Sequence, residues 1–469
     1  MAVSPLLSMI EVSRGCVRHG RNRAETRAGQ KGDKTTIGNS CCRTRIAIVR
    51  LGLGPFAISG FMKHLFFTSV LLAFITVLSQ AQELPREWID PDTGHRIIRL
   101  SDEPGSSSFY FHQNAYTASG DKLVFSTRHG LSTYDFKTKK IEEIVDGRAG
   151  SVIVGRNTRK VFYTRGDSIY ETDIDTKATR LIVKAPQLHG GSGLAINSDG
   201  TLLGGSTIVG ETPAEFRPRA PAPTPTPAPT PTTGAVTAGH DNYAGKGDMM
   251  ERRLAAKIPM SLYTVNIKTG EIKMFHPSTD WLNHVQFSPT DPTLMMFCHE
   301  GPWHKVDRIW TIRTDGSQLT KVHTRTMDME IAGHEFFGQD GKHIYYDLQT
   351  PKSQVFWLAE YDIATGKMRK YSLTKHEWSV HYGVSPDGKT FLGDGGGPNS
   401  VAKGDNGQWI YLFHPEGDKF VSERLVNLAK HDYSLEPNAT FTPDGKWIVF
   451  RSNMLGPIEI YAVEIAKAK

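Results

Sequence analysis

The sequence predicts an all-β fold, a seven-bladed β-propeller, and three observations support that prediction. The first is a pattern that recurs seven times: a small or polar residue, a run of β-forming residues, and a turn residue seven positions later. The second is an apolar strand that follows each copy and runs into a turn. The third is the spacing of the copies, roughly 40–50 residues, which is typical of propeller blades.

The first pattern defines one position in each predicted blade. His334 precedes the turn residue Gly341 by seven residues, and the same offset occurs at six other places. The other pairs are Gln113 and Gly120, Ser151 and Thr158, Gly193 and Gly200, His284 and Asp291, His381 and Gly388, and Asn438 and Gly445. Because the innermost strand of every blade lines the central channel, we expect these seven positions to surround one cavity.

The second pattern supplies the remaining strands. Seven apolar strands begin at Ser132, Tyr170, Leu262, Ile309, Leu358, Ile410 and Ile458. Gly, Pro and Asp turns separate the β-rich runs, and helical periodicity is hard to find. An early strand at residues 95–101 is expected to pair with the last blade near Ile458, because an unclosed ring would leave exposed strand edges.

The start of the chain is predicted to lie outside this domain. Residues 1–61 are rich in Arg, Gly and Ser, and we interpret them as a mis-assigned start that is not part of the mature protein. Residues 62–81 have the basic start, apolar run and small terminal residues of a signal peptide. The apolar run is shorter than the ~20 residues that span a membrane. We therefore expect a periplasmic or secreted protein with no membrane partner after cleavage.

The mature chain, with its propeller at residues 83–469, differs in charge from the full sequence. The full chain has a net charge of +6, but residues 1–61 hold ten Lys or Arg against three Asp or Glu, and Lys63 adds one more. The chain from Gln82 is therefore slightly acidic, at about −2, and no nucleic-acid partner is expected. Cys298 is its one cysteine, which predicts a buried structural thiol.

A Pro-rich segment at residues 212–234 interrupts the third predicted blade. It alternates Pro, Ala and Thr, as in PAPTPTPAPTPTTG. Such a sequence can neither form a ladder of backbone hydrogen bonds nor bury a core. It is predicted to be a disordered insertion.

The recurring position also suggests a functional site. It holds histidines on three consecutive blades, His284, His334 and His381, and Asn438 on the next one. A position that only packs between blades would be apolar, whereas buried polar side chains need water, a metal ion or a ligand. With Glu436 nearby, the group favours a divalent ion or an anionic ligand. Ordered water in the channel is the alternative.

Three motifs resemble those of a known family. They are WLNH at residues 281–284, FCHEGPW at 297–303 and GHEFF at 333–337, and they resemble motifs of the oligogalacturonate lyases of polysaccharide lyase family twenty-two. The similarity extends from YFHQN at 110–114 to PNATF at 437–441. It implies a seven-bladed propeller that cleaves short acidic oligosaccharides, oligogalacturonate or another uronide, by β-elimination. It also implies a bound divalent ion, Mn²⁺ above all.

The resemblance assigns the base and the metal ligands. His284 matches the family's base, and His334 matches a metal ligand. The other family ligands lie in a Gln-x-x-His-x-His run, whose two histidine positions are occupied here by Glu436 and Asn438. Because that run has lost its histidines, His381 is expected to help complete the metal site.

The remaining roles are expected of residues around this group. The family has a catalytic arginine before the strand that enters the fourth blade, and in this chain Arg252 or Arg253 is expected to replace it. The residues expected to bind substrate are His112, Gln113, His189, His299 and His304. The alternative function is a carbohydrate-binding or scaffold propeller without catalysis, in which replacing His284 would change nothing measurable.

Overall fold

Antiparallel strands dominate the computed structural model, which describes residues 84–216, 243–397, 400 and 408–468. The compact unit that contains them runs from Gln82 to Lys469. The sequence predictions for residues 1–61, the signal peptide at 62–81 and most of the Pro-rich segment lie outside the described residues.

Twenty-eight strands lie within these described ranges. In chain order they are β1 Glu87–Ile89, β2 His95–Arg99, β3 Lys122–Ser126, β4 Gly130–Asp135, β5 Ile141–Asp146, β6 Gly150–Val154, β7 Lys160–Arg165, β8 Ser168–Asp173, β9 Thr179–Lys184, β10 Ala195–Ile196, β11 Leu202–Ile208, β12 Met260–Asn266, β13 Ile272–Ser278, β14 Trp281–Phe287, β15 Leu294–Glu300, β16 Ile309–Arg313, β17 Thr320–Lys321, β18 Ile331–Phe337, β19 His343–Gln349, β20 Phe356–Asp362, β21 Met368–Leu373, β22 Tyr382–Val384, β23 Phe391–Gly393, β24 Trp409–Glu416, β25 Lys419–Asn427, β26 Thr440–Phe441, β27 Trp447–Ser452 and β28 Glu459–Lys467.

Hydrogen bonding arranges these described strands in six sheets that follow one another along the chain. Four of them are β3 to β5, β6 to β9, β10 to β13 and β14 to β17. The fifth has eight strands, in which β18 to β21 and β22 to β25 meet through one parallel bridge between Ser372 and Lys419. The sixth has the order β1-β2-β28-β27-β26. The architecture is propeller-like, as the sequence predicted.

The last sheet joins the beginning of the domain to its end. Strand β2 runs antiparallel to β28 and pairs Ile97 with Val463 and Arg99 with Tyr461. This confirms the pairing predicted for residues 95–101. It also protects the outer edge of β28, which would otherwise be open to another chain.

The predicted strands and turns are present. Strands β4, β8, β12, β16, β20, β24 and β28 cover the seven apolar runs identified in the sequence. Five turn glycines have φ between 67° and 73°, the left-handed region that favours glycine. They are Gly120, Gly200, Gly341, Gly388 and Gly445.

The recurring position has an unusual backbone at four of its seven places. Ser151, His284, His334 and Asn438 have φ values of 46°, 48°, 46° and 51°. The first three lie where the register of β6, β14 and β18 shifts against the neighbouring strand. A bulge with a left-handed residue turns its side chain away from the regular alternation of the strand. Two of these side chains, His284 and His334, thereby line the same space.

The hydrophobic core lies between neighbouring sheets. One cluster joins Val124, Val161 and Ala462 from three different sheets, and each of these side chains is fully buried. Another joins Met296 to Ile344. Cys298 is also fully buried, which confirms the burial predicted for it.

Helical structure flanks residues 217–242. A 3₁₀ turn occupies Ala214–Phe216, and helix α1 occupies Tyr243–Ala256, which the sequence analysis did not predict. Its Arg253 stacks on Trp281, with the guanidinium carbon 4.1 Å from the ring centroid. No helix in the described part of the chain is long and apolar enough to cross a membrane.

Candidate active site

A cavity of about 70 Å³, which we call the upper cavity, lies at the ends of strands β14, β15, β18 and β19. Its lining includes two histidines, three carboxylates, one arginine and two tryptophans. Its polar and aromatic lining residues are Tyr110, His284, Glu300, Trp303, Arg308, His334, Asp347, Gln349, Trp378 and Glu436.

His284 lies between two carboxylates. Its Nε2 is 3.7 Å from Oε2 of Glu300, and its Nδ1 is 3.8 Å from Oε1 of Glu335. Both carboxylates are buried, while the His284 side chain retains 16% exposure. The bulge in β14 therefore leaves this imidazole in contact with the cavity and supports it on two sides.

Arg308 neutralises part of this charge. Its Nε donates to Oε2 of Glu335 at 2.9 Å, and a terminal nitrogen lies 3.1 Å from Oε2 of Glu300. Burial alone would lower the pKa of Arg308, but Cys298 and the two glutamates outweigh burial and raise it well above its ordinary value. The guanidinium is a fixed charge that holds the carboxylates around His284 in place.

Two further histidines each bond to a carboxylate of their own sheet. Nδ1 of His334 lies 2.9 Å from Oδ1 of Asp347, and Nδ1 of His381 lies 2.7 Å from Oδ2 of Asp394. The His334 and His381 rings meet edge to face, with centroids 4.9 Å apart. A carboxylate on Nδ1 leaves Nε2 available and is the usual support of a metal-binding histidine.

Protonation of His334 is governed by its carboxylate. Burial would lower the pKa of His334, but the charge of Asp347 and the hydrogen bond to it outweigh burial and raise the pKa. His381 is fully buried, and its Nε2 has no hydrogen-bond partner in the described structure. That nitrogen lies 3.7 Å from Oε2 of Glu436.

These side chains fit a divalent ion in their chemistry. His334, His381 and Glu436 offer two imidazole nitrogens and a carboxylate, which suits Mn²⁺ or Zn²⁺. The unpartnered Nε2 of His381 is the kind of buried polar atom that an ion would satisfy. Among the described residues, no three His, Cys, Asp or Glu side chains are grouped closely enough to hold a metal as they stand. Binding would therefore require these three side chains to approach one another.

The side-chain amide of Asn438, which was expected to bind the metal, forms hydrogen bonds with the backbone. Its Oδ1 accepts the backbone N–H of Phe111 at 3.1 Å, and its Nδ2 donates to the backbone oxygen of Glu436 at 3.2 Å. Both polar atoms of the amide are thus engaged in holding the chain. Arg451 supports the same segment, because its Nε donates to the Glu436 carbonyl at 2.7 Å.

Residues 110–113 separate the upper cavity from a second space. The Tyr110 ring packs edge to face against His284 and His381, at 5.6 and 5.2 Å between centroids. The Phe111 ring stacks on His381 at 4.6 Å. Tyr110 lines the upper cavity, whereas Phe111 lines the space on the other side.

That second space, which we call the axial channel, has a volume of about 290 Å³. Its lining includes the predicted substrate-binding residues His112 and Gln113, together with many aromatic side chains. Burial and the neighbouring charge of His284 lower the pKa of His112 to about 3. His112 is therefore a neutral side chain of the channel, and neither it nor Gln113 lines the upper cavity.

The predicted catalytic arginines also lie away from the upper cavity. Arg252 is exposed on helix α1, and Arg253 packs between Trp281 and Phe216. The arginine that lines the cavity is Arg308. The physical reason is helix α1, which places the Arg253 guanidinium over the rings of Trp281 and Phe216.

Three predicted substrate-binding histidines occupy other surroundings. His189 is exposed, with Nδ1 3.2 Å from Oγ1 of Thr212. His299 lies 3.7 Å from Asp280, and His304 lies 3.9 Å from Glu251 of helix α1. None of the three lines the upper cavity.

Several residues of the site were not identified from the sequence. They are Tyr110, Glu335, Asp347, Gln349, Trp378 and Asp394. One signal was available: Asp347 follows His334 by thirteen residues, and Asp394 follows His381 by the same number. The offset recurs because the histidine precedes its turn glycine by seven residues in both places, and the aspartate follows that glycine by six.

A family profile and two curated relatives that match this chain are all described as lyases of the same kind. A family profile described as oligogalacturonate lyase matches residues 252–468. The oligogalacturonate lyase of Dickeya dadantii is 25% identical over 403 residues, which cover 80% of this chain and 95% of the relative. The oligogalacturonide lyase of Pectobacterium atrosepticum is 24% identical over the same extent.

Solved structures show the same fold. An oligogalacturonate lyase in complex with manganese has a TM-score of 0.66 at 24% identity, covering 81% of this chain and 96% of that one. The oligogalacturonate lyase of Vibrio parahaemolyticus has a TM-score of 0.67 at 21% identity, with the same coverage. At these identities the structural similarity shows a shared fold.

Proposed function

Because the chain belongs to the oligogalacturonate lyase family, we propose that it is a polysaccharide lyase that cleaves oligogalacturonate or a related uronic-acid oligosaccharide. The reaction is a metal-assisted β-elimination that leaves a 4,5-unsaturated uronide, as in pectin breakdown. The observation that carries the proposal is His284, an imidazole supported by Glu300 and Glu335 at the wall of a charged cavity.

We also propose that the six sheets form seven blades. The eight-stranded sheet counts as two blades, because only one parallel bridge, between Ser372 and Lys419, connects its halves. Strand β2 then completes the seventh blade beside β28. A crystal structure of the chain from Gln82 onward tests this count, and a ring of six or eight blades would contradict it.

The charge of the upper cavity supports the need for a cation. Three carboxylates line it, Glu300, Asp347 and Glu436, against one guanidinium, Arg308. With neutral imidazoles its lining has a net charge of −2, which opposes entry of a uronate carboxylate. A divalent ion at His334, His381 and Glu436, with Mn²⁺ the first choice, would offset that charge.

His284 is the proposed base. It accepts the proton from C5 of the uronide on its imidazole, the electrons of that bond form the C4–C5 double bond, and the C4–O bond breaks. The departing oxygen takes a proton from solvent. The chemistry that a bound divalent ion supplies is neutralisation of the uronate carboxylate, which makes the C5 proton more acidic.

The carboxylates around His284 act through it. Carboxylate oxygens of Glu300 and Glu335 lie 3.7 and 3.8 Å from the two ring nitrogens, so a proton gained on the imidazole would be stabilised by their negative charge. Arg308 prevents the two carboxylates from repelling each other before the proton arrives. These three side chains are therefore positioning residues for the base.

The direct test is the ultraviolet absorbance of the conjugated product. Purified protein from Gln82 onward is supplied with di- and trigalacturonate and Mn²⁺, and the controls are EDTA and His284→Ala. We expect a rise that EDTA abolishes and that the substitution reduces by about 10²–10⁴-fold. Product formed only from another uronide would keep the lyase chemistry and change the assigned substrate. No product from any uronide would favour a binding propeller without catalysis.

We further propose that the protein is exported with cleavage before Gln82. The basic, apolar and small-residue segments at residues 62–81 support this. The test is fractionation of cells that express the full gene, followed by amino-terminal sequencing. Full-length protein retained inside the cell would contradict it.

A further inference from the structure

Two hydrogen-bond donors in the wall of the upper cavity have no partner within the described structure. They are Nε2 of Gln349 and the indole Nε1 of Trp378. Both residues line the cavity, and their exposed fractions are 0% and 1%. An N–H group that is removed from water without an acceptor costs free energy, and folded proteins rarely leave one so. Both donors therefore point to an occupant of the cavity.

The orientation of the Gln349 amide is fixed by its other end. Its Oε1 accepts the backbone N–H of Ser353 at 2.7 Å. The reversed amide would place two donors against each other, so the oxygen must face Ser353. The amide nitrogen is consequently the atom left without a partner, and its residue lies at the end of β19.

Gln349 and Trp378 belong to the same wall. Gln349 pairs with Phe356 across β19 and β20, and the Phe356 ring lies 6.3 Å from the Trp378 ring in an edge-to-face contact. The nearby Trp357 provides a contrast, because its Nε1 donates to Oγ1 of Thr350 at 2.8 Å. An indole that only supports the fold thus has its acceptor within the protein.

We propose that Gln349 and Trp378 bind a carboxylate oxygen of the uronide and select for a charged sugar. A carboxylate accepts hydrogen bonds and donates none, so it matches these two N–H donors without acceptors. Because both donors are neutral, they receive this group without adding a counter-charge to the metal side of the cavity. The assignment rests on the proposed function in taking the ligand to be a uronide.

The test compares affinities for a charged and an uncharged probe. Titration calorimetry measures binding of digalacturonate and of the corresponding galactobiose, with Mn²⁺ present, to proteins that all carry His284→Ala. The variants are Trp378→Phe, which keeps a ring and removes the N–H, and Gln349→Leu. We expect each to weaken digalacturonate binding by about 5- to 50-fold and to leave galactobiose binding unchanged.

Two controls exclude a general effect on folding. Trp357→Phe removes an indole N–H that is already bonded and should leave digalacturonate affinity unchanged. Thermal unfolding without ligand should show only the packing cost of the smaller ring, because Trp378 is buried in the core and its N–H has no acceptor in the described structure. Unchanged digalacturonate affinity in a Trp378→Phe protein that still unfolds cooperatively would overturn the proposal.

The outcomes separate this proposal from the lyase function. Variants that bind digalacturonate as their parent does would overturn the donor site, whatever the wild-type protein cleaves. Weakened binding by the variants, with no cleavage by wild-type protein, would retain the donor site and reject the lyase. Equal losses for digalacturonate and galactobiose would reject the selection for charge, and wild-type protein that neither binds nor cleaves digalacturonate would reject both proposals.

Discussion

The upper cavity and the axial channel are lined by the same innermost strands, yet their chemistry differs. Three carboxylates, two histidines and an arginine line the upper cavity. The only charged side chain among the described residues that line the channel, with histidine taken as neutral, is Arg156. Tyr110 and Phe111 lie between the two spaces. The charge of the upper cavity therefore comes in part from the second strands of two blades, because β15 supplies Glu300 and β19 supplies Asp347 to that cavity and neither residue lines the channel.

The largest expected effect is the loss of Arg308 from the upper cavity. Arg308→Met leaves Glu300 and Glu335 buried without their cation, which should reduce the free energy of unfolding by about 3–5 kcal/mol. Urea denaturation measures the change. Adding Glu335→Gln should recover part of the loss, because one buried charge is then removed. A loss below about 1 kcal/mol for the single variant would show that water already screens these charges.

The second effect concerns the metal. Asp347→Asn removes the carboxylate on Nδ1 of His334 and should lower Mn²⁺ affinity by about 10- to 100-fold. Calorimetry with Mn²⁺ and no sugar measures it. Asp340→Asn is the matched control, because Asp340 makes the same contact with His343 outside the cavity, at 3.0 Å. Equal affinities for all three proteins would place the ion elsewhere.

The sequence predicted the histidines of this site better than the carboxylates beside them. The repeat placed His284, His334 and His381 together because each histidine precedes its turn residue by the same seven positions. It did not identify Asp347 or Glu335, because a partner on the next strand depends on register and on the bulges at the histidines. Those bulges have left-handed residues that local propensity does not predict.

The arginine shows a different limit. The family resemblance implied that Arg252 or Arg253 would act, since both precede β12 in the chain. Whether either side chain reaches the cavity depends on how helix α1 packs after the Pro-rich segment, and packing against Trp281 directs Arg253 away. Arg308 follows the FCHEGPW segment by five residues, but its burial between two carboxylates is a property of the fold that the sequence does not show.

The boundary between the two spaces should be sensitive to pH. The pKa of His112 is about 3, below its ordinary 6.5, because burial and the nearby His284 and His381 oppose protonation more than Glu335 favours it. Between these values the unfolded chain takes up a proton that the folded chain does not. Stability therefore falls as the pH decreases from 6.5 toward 3, by at most about 1.4 kcal/mol per pH unit from this residue.

His112→Gln tests that dependence. The variant lacks the titrating group, so its stability relative to the parent should rise as the pH is lowered from 7 to 5. Urea denaturation of both proteins, without metal, at a series of pH values measures the difference. Parallel curves would mean that His112 becomes protonated in the folded protein, and hence that water reaches the boundary between the spaces.

The smallest effect is expected in the axial channel. Arg156 donates one hydrogen bond, to Oε1 of Gln339 at 3.2 Å, and has no ion pair with any described residue. Arg156→Met makes the same replacement as Arg308→Met, yet it strands no carboxylate, so it should change the free energy of unfolding by less than about 1 kcal/mol. Elimination measured by product absorbance should stay at the wild-type rate. A slower reaction would assign the channel a part in catalysis, and the division between a reactive cavity and an inert channel would then fail.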